Sequence, residues 1–400
     1  MSALVSFSIA QHSLSRGLGL AGGTSVPSKS DPILGNVRLV VGDEGLVVTS
    51  TNLQAQRTAK CPVDSVGSPG GITVDAKKLA SIVGAFPADA VLTFQSVDND
   101  FCAVHVGNTS RYKLRTMPVE DFPALSPDSS AEVVNFHIPG KDLYRLMEAV
   151  SFIVAKKDSE PASASSPKAI RMAVDGGKIE CAGIDKARIG VARGRLDVPP
   201  CRPVAIGVDP KCVADVQRLC SRLSEEVALV SVGAGSATIT FPGAESINLL
   251  APTQFPDYTR VLLPEDAART FEVERNDVLS AISRVSLMTN EKHREIALEF
   301  TPGQISISAS SRAYSQPGRS RDAERDPDAG DCVEAIQVDH SMPDGVVVKI
   351  NCQYLADALS AGEEERVRVQ VADGLGPVML SPAGADPRSS AWTYIVAQIK

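Results

Sequence analysis

Aromatic residues make up only 4% of this 400-residue chain, with a single tryptophan, Trp392. Its cores must therefore rest on Val, Ile, Leu and Ala. Positive charge is also in deficit: 40 Lys and Arg stand against 48 Asp and Glu, a formal net charge of −8. That excludes a protein gripping nucleic acid with its whole surface, but leaves room for a basic strip on an acidic body. No apolar run approaches the roughly 20 residues that a membrane span needs. The opening MSALVSFSIAQHSLSRG lacks a basic stretch followed by an apolar core, so it does not read as a signal peptide. The expectation is a cytoplasmic protein with no membrane partner.

Enzyme and metal signatures are equally scarce. The eight cysteines, at 61, 102, 181, 201, 212, 220, 332 and 352, contain no CxxC pair. Several fall on apolar positions and read as buried free thiols. The five histidines show no metal spacing, and His137, between apolar neighbours on a strand pattern, reads as structural. Gly17, Gly19 and Gly22 match GxGxxG, but lead into TSVPSKSDP, which cannot open the helix that a dinucleotide site requires; they read as a helix stop. Asp326-Pro-Asp328-Ala-Gly330 has its glycine one place early for a calcium loop. There is no P-loop, no GxSxG, and no grouping of nucleophile, base and orienting residue. No cofactor and no enzyme activity are expected.

What is present is a repeat. Four hundred residues suggest two to four domains. A short strand pattern followed at once by a short amphipathic helix recurs at Val5, Ile72, Val133, Val204, Phe271 and Val346, about a sixth of the chain apart. The helices carry the apolar stripe of a half-buried face, as in Leu79, Ile82, Val83 and Phe86, in Leu143, Leu146, Met147 and Val150, or in Val216, Leu219, Cys220 and Leu223. Alternating strands follow, turning at GDEG, DGG, GAG and TPG, where Gly, Asp and Pro supply hairpin geometry. The unit is β-α-β-β-β, six times over. One unit cannot bury both its helix face and its sheet face, so units should pair into domains. Two polar stretches, 155–168 and 314–332, read as surface loops.

The stretch TQFPDYTRVLLPE, from Thr253, places Phe255, Tyr258, Val261 and Leu262 where a plain linker would be polar. It also carries a resemblance. With DPILGNVRL from Asp31, TVDAKKLASIVGAFP from Thr73, RYKLRTMPVEDFPAL from Arg111, IPGKDLYRLMEAVSFIV from Ile138, MTNEKHREIALEF from Met288, NCQYLADAL from Asn351 and the terminal TYIVAQIK, it makes the chain similar to the bacterial DNA sliding clamps, β subunits of DNA polymerase III, over nearly its whole length.

That resemblance implies an α+β clamp fold of three tandem domains, 1–131, 132–268 and 269–400, each made of two units. Two chains would close head to tail into a six-domain ring around duplex DNA, bound without sequence preference. The partners implied are the polymerase III α subunit, the clamp loader and other proteins with a clamp-binding motif, which insert an apolar peptide into a cleft. Matched residue by residue, the cleft would be formed by Ile184, Lys186, Arg188, Ile189, Pro256, Arg260, Val261, Asn351, Tyr354, Leu375 and Ile399. DNA-facing bases would be Lys29, Lys77, Lys78, Lys141, Arg145, Lys211, Arg218, Arg222, Arg275 and Arg284, interspersed with Asp142, Glu148, Asp215 and Asp277. The dimer contact would use Tyr112 and Leu114 on one side and Leu287 and Met288 on the other. Where the family reads TDGHRL this chain has IDKARI, and where it ends near MPMRL this chain ends AQIK. Losing a glycine and a methionine changes pocket shape and flexibility. A paralogue with a changed partner set, or tolerance of a cleft-directed inhibitor, is the alternative expectation.

Overall fold

The computed structural model describes the chain apart from residues 1–4, 26–29, 99, 128–132, 155–166, 197–201, 252–253, 265–268, 290–293, 311–329, 341, 343–344 and 400. Lys29, the Asn290-Glu-Lys stretch, the weak calcium-like motif up to Asp328 and most of both polar loops lie outside the described residues.

The six predicted repeats are all present. The first is β1 (Ser6–Ala10), α1 (Gln11–Ala21), β2 (Asn36–Gly42), β3 (Gly45–Thr51) and β4 (Ala55–Cys61), followed by a short extra strand, β5 (Ser65–Ser68). The second is β6 (Gly70–Asp75), α2 (Ala76–Gly84), β7 (Val91–Ser96), β8 (Phe101–Val106) and β9 (Ser110–Arg115). The third is β10 (Val134–Pro139), α3 (Gly140–Val154), β11 (Ile170–Asp175), β12 (Lys178–Ile184) and β13 (Arg188–Arg195). The fourth is β14 (Val204–Val208), α4 (Pro210–Arg222), β15 (Val227–Val232), β16 (Ser236–Phe241) and β17 (Ala244–Leu249). The fifth is β18 (Thr270–Glu274), α5 (Arg275–Val285), β19 (Glu295–Thr301), β20 (Gln304–Ser310) and β21 (Asp331–Gln337). The sixth is β22 (Val347–Asn351), α6 (Cys352–Ala361), β23 (Arg366–Val371), β24 (Val378–Pro382) and β25 (Trp392–Val396).

Helix starts follow from local chemistry. Asp75, Asp209 and Asn351 accept backbone N–H bonds from Lys78 (2.7 Å), Lys211 (2.8 Å) and Gln353 (2.9 Å), capping α2, α4 and α6. Each such cap contributes about 1 kcal/mol. The hairpin turns place Gly45, Gly177, Gly243 and Gly303 at positive φ, the conformation that side chains resist.

The chain forms two compact units. The first comprises Met1–Tyr144, Asp175–Gly177 and Leu196–Ala251. Within it lie a sheet of order β5-β1-β7-β8-β9 and a sheet of order β10-β15-β16-β17-β4-β3-β2-β6. Leading strands are exchanged: β1 pairs with β7 of the second repeat, and β6 pairs with β2 of the first. Phe7 and Phe94, opposite one another on β1 and β7, stack at 4.7 Å. Leu14, Leu79 and Val83 are buried beneath α1 and α2, and burial of each such side chain stabilises by roughly 1.5–3 kcal/mol.

The glycines of the GxGxxG match take a role different from the one expected. Only Gly22 caps α1; Gly17 and Gly19 lie inside the helix. A Cβ on Gly17 would collide with Cys61 Sγ of β4, and one on Gly19 would meet the Arg222 guanidinium. They let α1 approach its neighbours closely.

The second unit comprises Arg145–Val174, Lys178–Arg195 and Pro252–Lys400. It holds the run β11-β12-β13-β25-β24-β23-β18 and a four-stranded sheet of order β21-β20-β19-β22. Exchange recurs here: β18 pairs with β23 and β22 with β19. Val278, Ala281, Ile282 and Val285 of α5 share one core with Leu355, Ala358 and Leu359 of α6. The pairing of β13 with β25, Arg188 opposite Val396 and Ile189 opposite Ile395, joins the third repeat to the sixth. This junction organises the candidate site.

Candidate peptide cleft and its neighbouring surfaces

β12 and β13 turn at Asp185, whose Oδ1 accepts the N–H groups of Ala187 (2.8 Å) and Arg188 (2.7 Å). Lys186 takes no positive φ. The turn in IDKARI therefore closes without needing glycine. Arg188 leaves it with its side chain only 11% exposed, donating to Asp185 (2.9 Å) and Asp357 (3.0 Å) and lying 4.1 Å over the Tyr354 ring. Asp357 was not foreseen, although it lies one turn after Tyr354 on α6 and so shares its face.

Ile189, the next residue, touches two small apolar groups. On one side are Ala182, Ile184, Val191, Phe255 and Tyr258. On the other are Leu262, Leu263, Met379 and Ile395. Val261 is 41% exposed at the edge of this surface. Arg260 extends into solvent, held by Asp257 at 3.0 Å. Pro256 lines a cavity on the other side of the same segment, with Tyr258.

Hydrogen bonds tie down the C-terminal tail, one of them from Gln398 Nε2 to Gly374 O at 3.2 Å. Ala397 N donates to Ala187 O (2.8 Å), Ile399 N to Lys349 O (2.8 Å), and Gln398 Nε2 to Gly376 O (2.7 Å). The last bond fixes the turn that carries Leu375, itself 63% exposed. Most of the sequence-matched cleft residues thus belong to one locality. Asn351 is occupied as the cap of α6, also accepting from Tyr354 N at 3.2 Å. Of the apolar floor, Leu262 stood out in TQFPDYTRVLLPE, whereas Met379 and Ile395 were missed; their only sequence trace is the aliphatic runs VML and YIV.

The basic helix faces are less uniform than their sequence suggests. Lys77, Lys78, Lys141, Lys211 and Arg222 are exposed and make no ion pair with a described residue. Arg145 instead pairs with Glu363 (3.0 Å), Arg284 pairs with Glu334, and Arg218 pairs with Asp215 (3.3 Å). Arg275 donates to Glu364 O at 2.8 Å. Asp215, expected among the exposed acids, is only 6% exposed: it turns inward toward Arg57, which is 1% exposed, at 3.9 Å. Burial raises the Asp215 pKa, and burial lowers that of Arg57 to about 10.

Two of the described end strands carry opposite charge. β9 ends its sheet and exposes Arg111, Lys113 and Arg115. β21 ends the other and carries Asp331, Glu334 and the 68% exposed Val333. In the second unit, Leu287 is 80% and Met288 40% exposed. Tyr112 is half-buried, edge-on to Phe86 at 6.2 Å. Leu114 faces the core at 5% exposure, because alternation along β9 turns it inward.

The chain as a whole has counterparts among known proteins. Residues 5–126 match the family of DNA polymerase III beta subunit N-terminal domains, and residues 260–395 the family of its C-terminal domains. The chain belongs to the bacterial β sliding clamp family. The β sliding clamp of Pseudomonas aeruginosa is 27% identical over 95% of this chain and 96% of its own length. That of Escherichia coli K12 is 26% identical over 92% of each. The crystal structure of the Pseudomonas aeruginosa clamp bound to griselimycin superposes with a TM-score of 0.87 at 25% identity, covering all of both chains. The Thermotoga maritima β subunit shares the clamp fold at a TM-score of 0.84 and 18% identity.

Members of this family are clamps without catalytic chemistry. Among the described residues no group of three or more His, Cys, Asp or Glu is placed to hold a metal ion. Six described cysteines are buried and Cys332 is half-buried, all as free thiols. His137 lies on the outward face of β10. Among the described residues, no helix is long and apolar enough to cross a membrane.

Proposed function

We propose that this chain is a replication processivity clamp: a homodimeric ring that encircles duplex DNA and tethers the replicative polymerase and other clamp-binding proteins. The observation that carries this reading is the match of the complete six-repeat fold to sliding clamps, end to end. Such a ring acts in the cytoplasm. Its domains would be 1–131, 132–268 and 269–400, since leading strands are exchanged within the first and last pairs of repeats.

Net charge of −8 suits topological holding. A closed ring needs little phosphate attraction, and a few unpaired lysines on helix faces, with Lys29, would let it slide. Assembly would set the basic edge β9, with Tyr112 and Leu114, against the acidic edge β21 and its neighbours Leu287 and Met288. The apolar floor around Ile189, rimmed by Arg260, Val261 and Leu375, would take a partner's short apolar peptide, of the Gln-Leu-x-Leu-Phe type, at about −8 kcal/mol.

The test is retention on DNA. Loaded by a compatible clamp loader and ATP on a nicked circle, the protein should remain for minutes at moderate salt. Linearising the circle should release it from the ends. Equal retention on circular and linear DNA would overturn the reading. Light scattering should give twice the chain mass, halved by Leu287→Lys.

A further inference from the structure

Tyr258 opens the short 3-10 turn Tyr258–Val261 that carries Arg260 and Val261. Its ring is 7% exposed against Ala182, Ile184 and Val191. Its hydroxyl donates to Glu180 Oε1, on β12. The same carboxylate accepts Arg171 Nη1 from β11 (3.1 Å) and, through Oε2, Arg193 Nε from β13 (3.1 Å). Glu180 and Arg193 are direct cross-strand partners. Three donors from three different elements therefore converge on one carboxylate.

Arg193 carries the chain of bonds onward. Its Nη1 donates to Thr393 Oγ1 of β25 (3.0 Å) and to Ser390 O (3.3 Å) just before that strand. β25 runs directly into Ala397 and Ile399, the tail that lies along the cleft. Glu180 is thus one bond from the turn with Arg260 and Val261, through Tyr258, and two bonds from the C-terminal strand, through Arg193.

The network does not reduce to core packing. The side chains of Arg171, Arg193 and Glu180 are 26%, 16% and 27% exposed, and they line a cavity of about 580 Å³ with Phe255, Pro256 and Tyr258. An apolar sheet face would not need two arginines and a carboxylate here. Charge-assisted bonds are shorter, more directional and roughly twice as strong as neutral ones, so they fix orientation rather than bulk stability.

We infer that Glu180 is a positioning residue for the peptide cleft, holding the Arg260–Val261 turn and the C-terminal strand in one fixed relation through Tyr258 and Arg193. This rests on the cleft reading above. The two walls are then adjusted together: change at Glu180 moves both, although Glu180 itself touches no peptide.

The experiment measures binding of a fluorescein-labelled Gln-Leu-Ser-Leu-Phe peptide to the full-length dimer by anisotropy. Tyr258→Phe, Glu180→Gln and their combination are compared with Arg260→Ala. Tyr258→Phe removes one hydroxyl and keeps the ring; it should weaken binding about threefold to tenfold while dimer mass and melting temperature stay close to the parent values. Glu180→Gln should do at least as much, and the double variant should lose no more than Glu180→Gln alone, because both act through one bond. A purely structural role would lower the melting temperature and leave affinity unchanged, or give additive losses; either outcome overturns the inference. Should Glu180→Gln fail to fold, Tyr258→Phe alone decides. If the parent protein binds no peptide, or binds it regardless of Arg260→Ala, the cleft reading itself fails; binding that depends on Arg260 but not on Tyr258 or Glu180 removes the positioning role alone.

Discussion

Two of the arginine–carboxylate centres in this molecule are built on opposite principles. In the first unit Arg57 and Asp215 are almost fully buried, 3.9 Å apart, and Arg57 leaves Nε and Nη2 without hydrogen-bond partners; its Nη1 reaches Gly22 O at 3.2 Å. In the second unit Glu180 is partly exposed and satisfied by Arg171, Arg193 and Tyr258. Burial alone does not make an ion pair strong. Desolvation of two charges is repaid only when geometry is good and the remaining donors are met. The first centre is therefore expected to hold stability hostage, and the second to set geometry at little cost.

The largest effect should come from splitting the buried pair. Asp215→Ala leaves Arg57 charged and surrounded by protein, and should lower unfolding free energy by about 3–5 kcal/mol. Arg57→Met fills similar space without charge, and Asp215 keeps Arg218 at 3.3 Å; it should be neutral or stabilising. Denaturant titration followed by circular dichroism measures both. A large loss with Arg57→Met would erase the contrast between the centres.

Thiol chemistry gives the next effect. Cys212 and Cys220 lie on α4 beside Asp215, and burial pushes both thiols up to about 12. Half-buried Cys332 should react with a maleimide first among the described cysteines, and Cys212 and Cys220 only through local opening. Asp215→Ala should speed their labelling at least tenfold, read by mass spectrometry of peptides, and leave Cys181 of the second unit unchanged.

Smaller still is the hydroxyl of Tyr258. Removing it should change stability by no more than about 1 kcal/mol, which sharpens its proposed role in orientation. The smallest effect is in pH. Burial raises the Asp215 pKa above its unfolded value. A group raised in this way favours the folded state when protonated; that contribution is present at low pH and is lost as pH rises through the folded value. Relative to Asp215→Asn, the parent should thus gain stability as pH falls from neutral toward the ordinary carboxylate range. Parallel curves for the two would show that the carboxyl is not perturbed.

Much of the architecture is readable in the sequence alone. The six strand–helix starts and the hairpins at GDEG, DGG, GAG and TPG rest on local periodicity and turn chemistry, and each appears as expected. Which strand β1 would join was not readable, because pairing with β7 rather than with β2 is a choice between distant partners of similar pattern. Gly17 and Gly19 looked like punctuation because the neighbour that needs their missing side chains, Cys61 or Arg222, is remote in sequence. Asp215 was misplaced for a related reason: an acid on a helix reads as solvated unless its buried partner on β4 is known. In the proposed cleft, the family-matched residues could be named from the sequence, but Met379 and Ile395 beneath them could not, since aliphatic residues in a strand carry no mark of which face a ligand will see.

The exchange of leading strands has a consequence for how the protein is made. On the ribosome β1 leaves the tunnel first, yet its partner β7 is not synthesised until some eighty residues later, when Phe94 arrives to face Phe7. Until then β1 has only the short β5 to pair with, and the first repeat cannot finish its sheet without β6. The hairpins of β2, β3 and β4 can form early, but a nascent chain must wait for two repeats before both leading strands are paired, and long-range pairing of this kind is slow and exposed to misassociation. Truncations that end within a repeat pair should be insoluble; a cut after the first pair completes the exchange but leaves β4 without β17, and a cut after the second leaves β13 without β25.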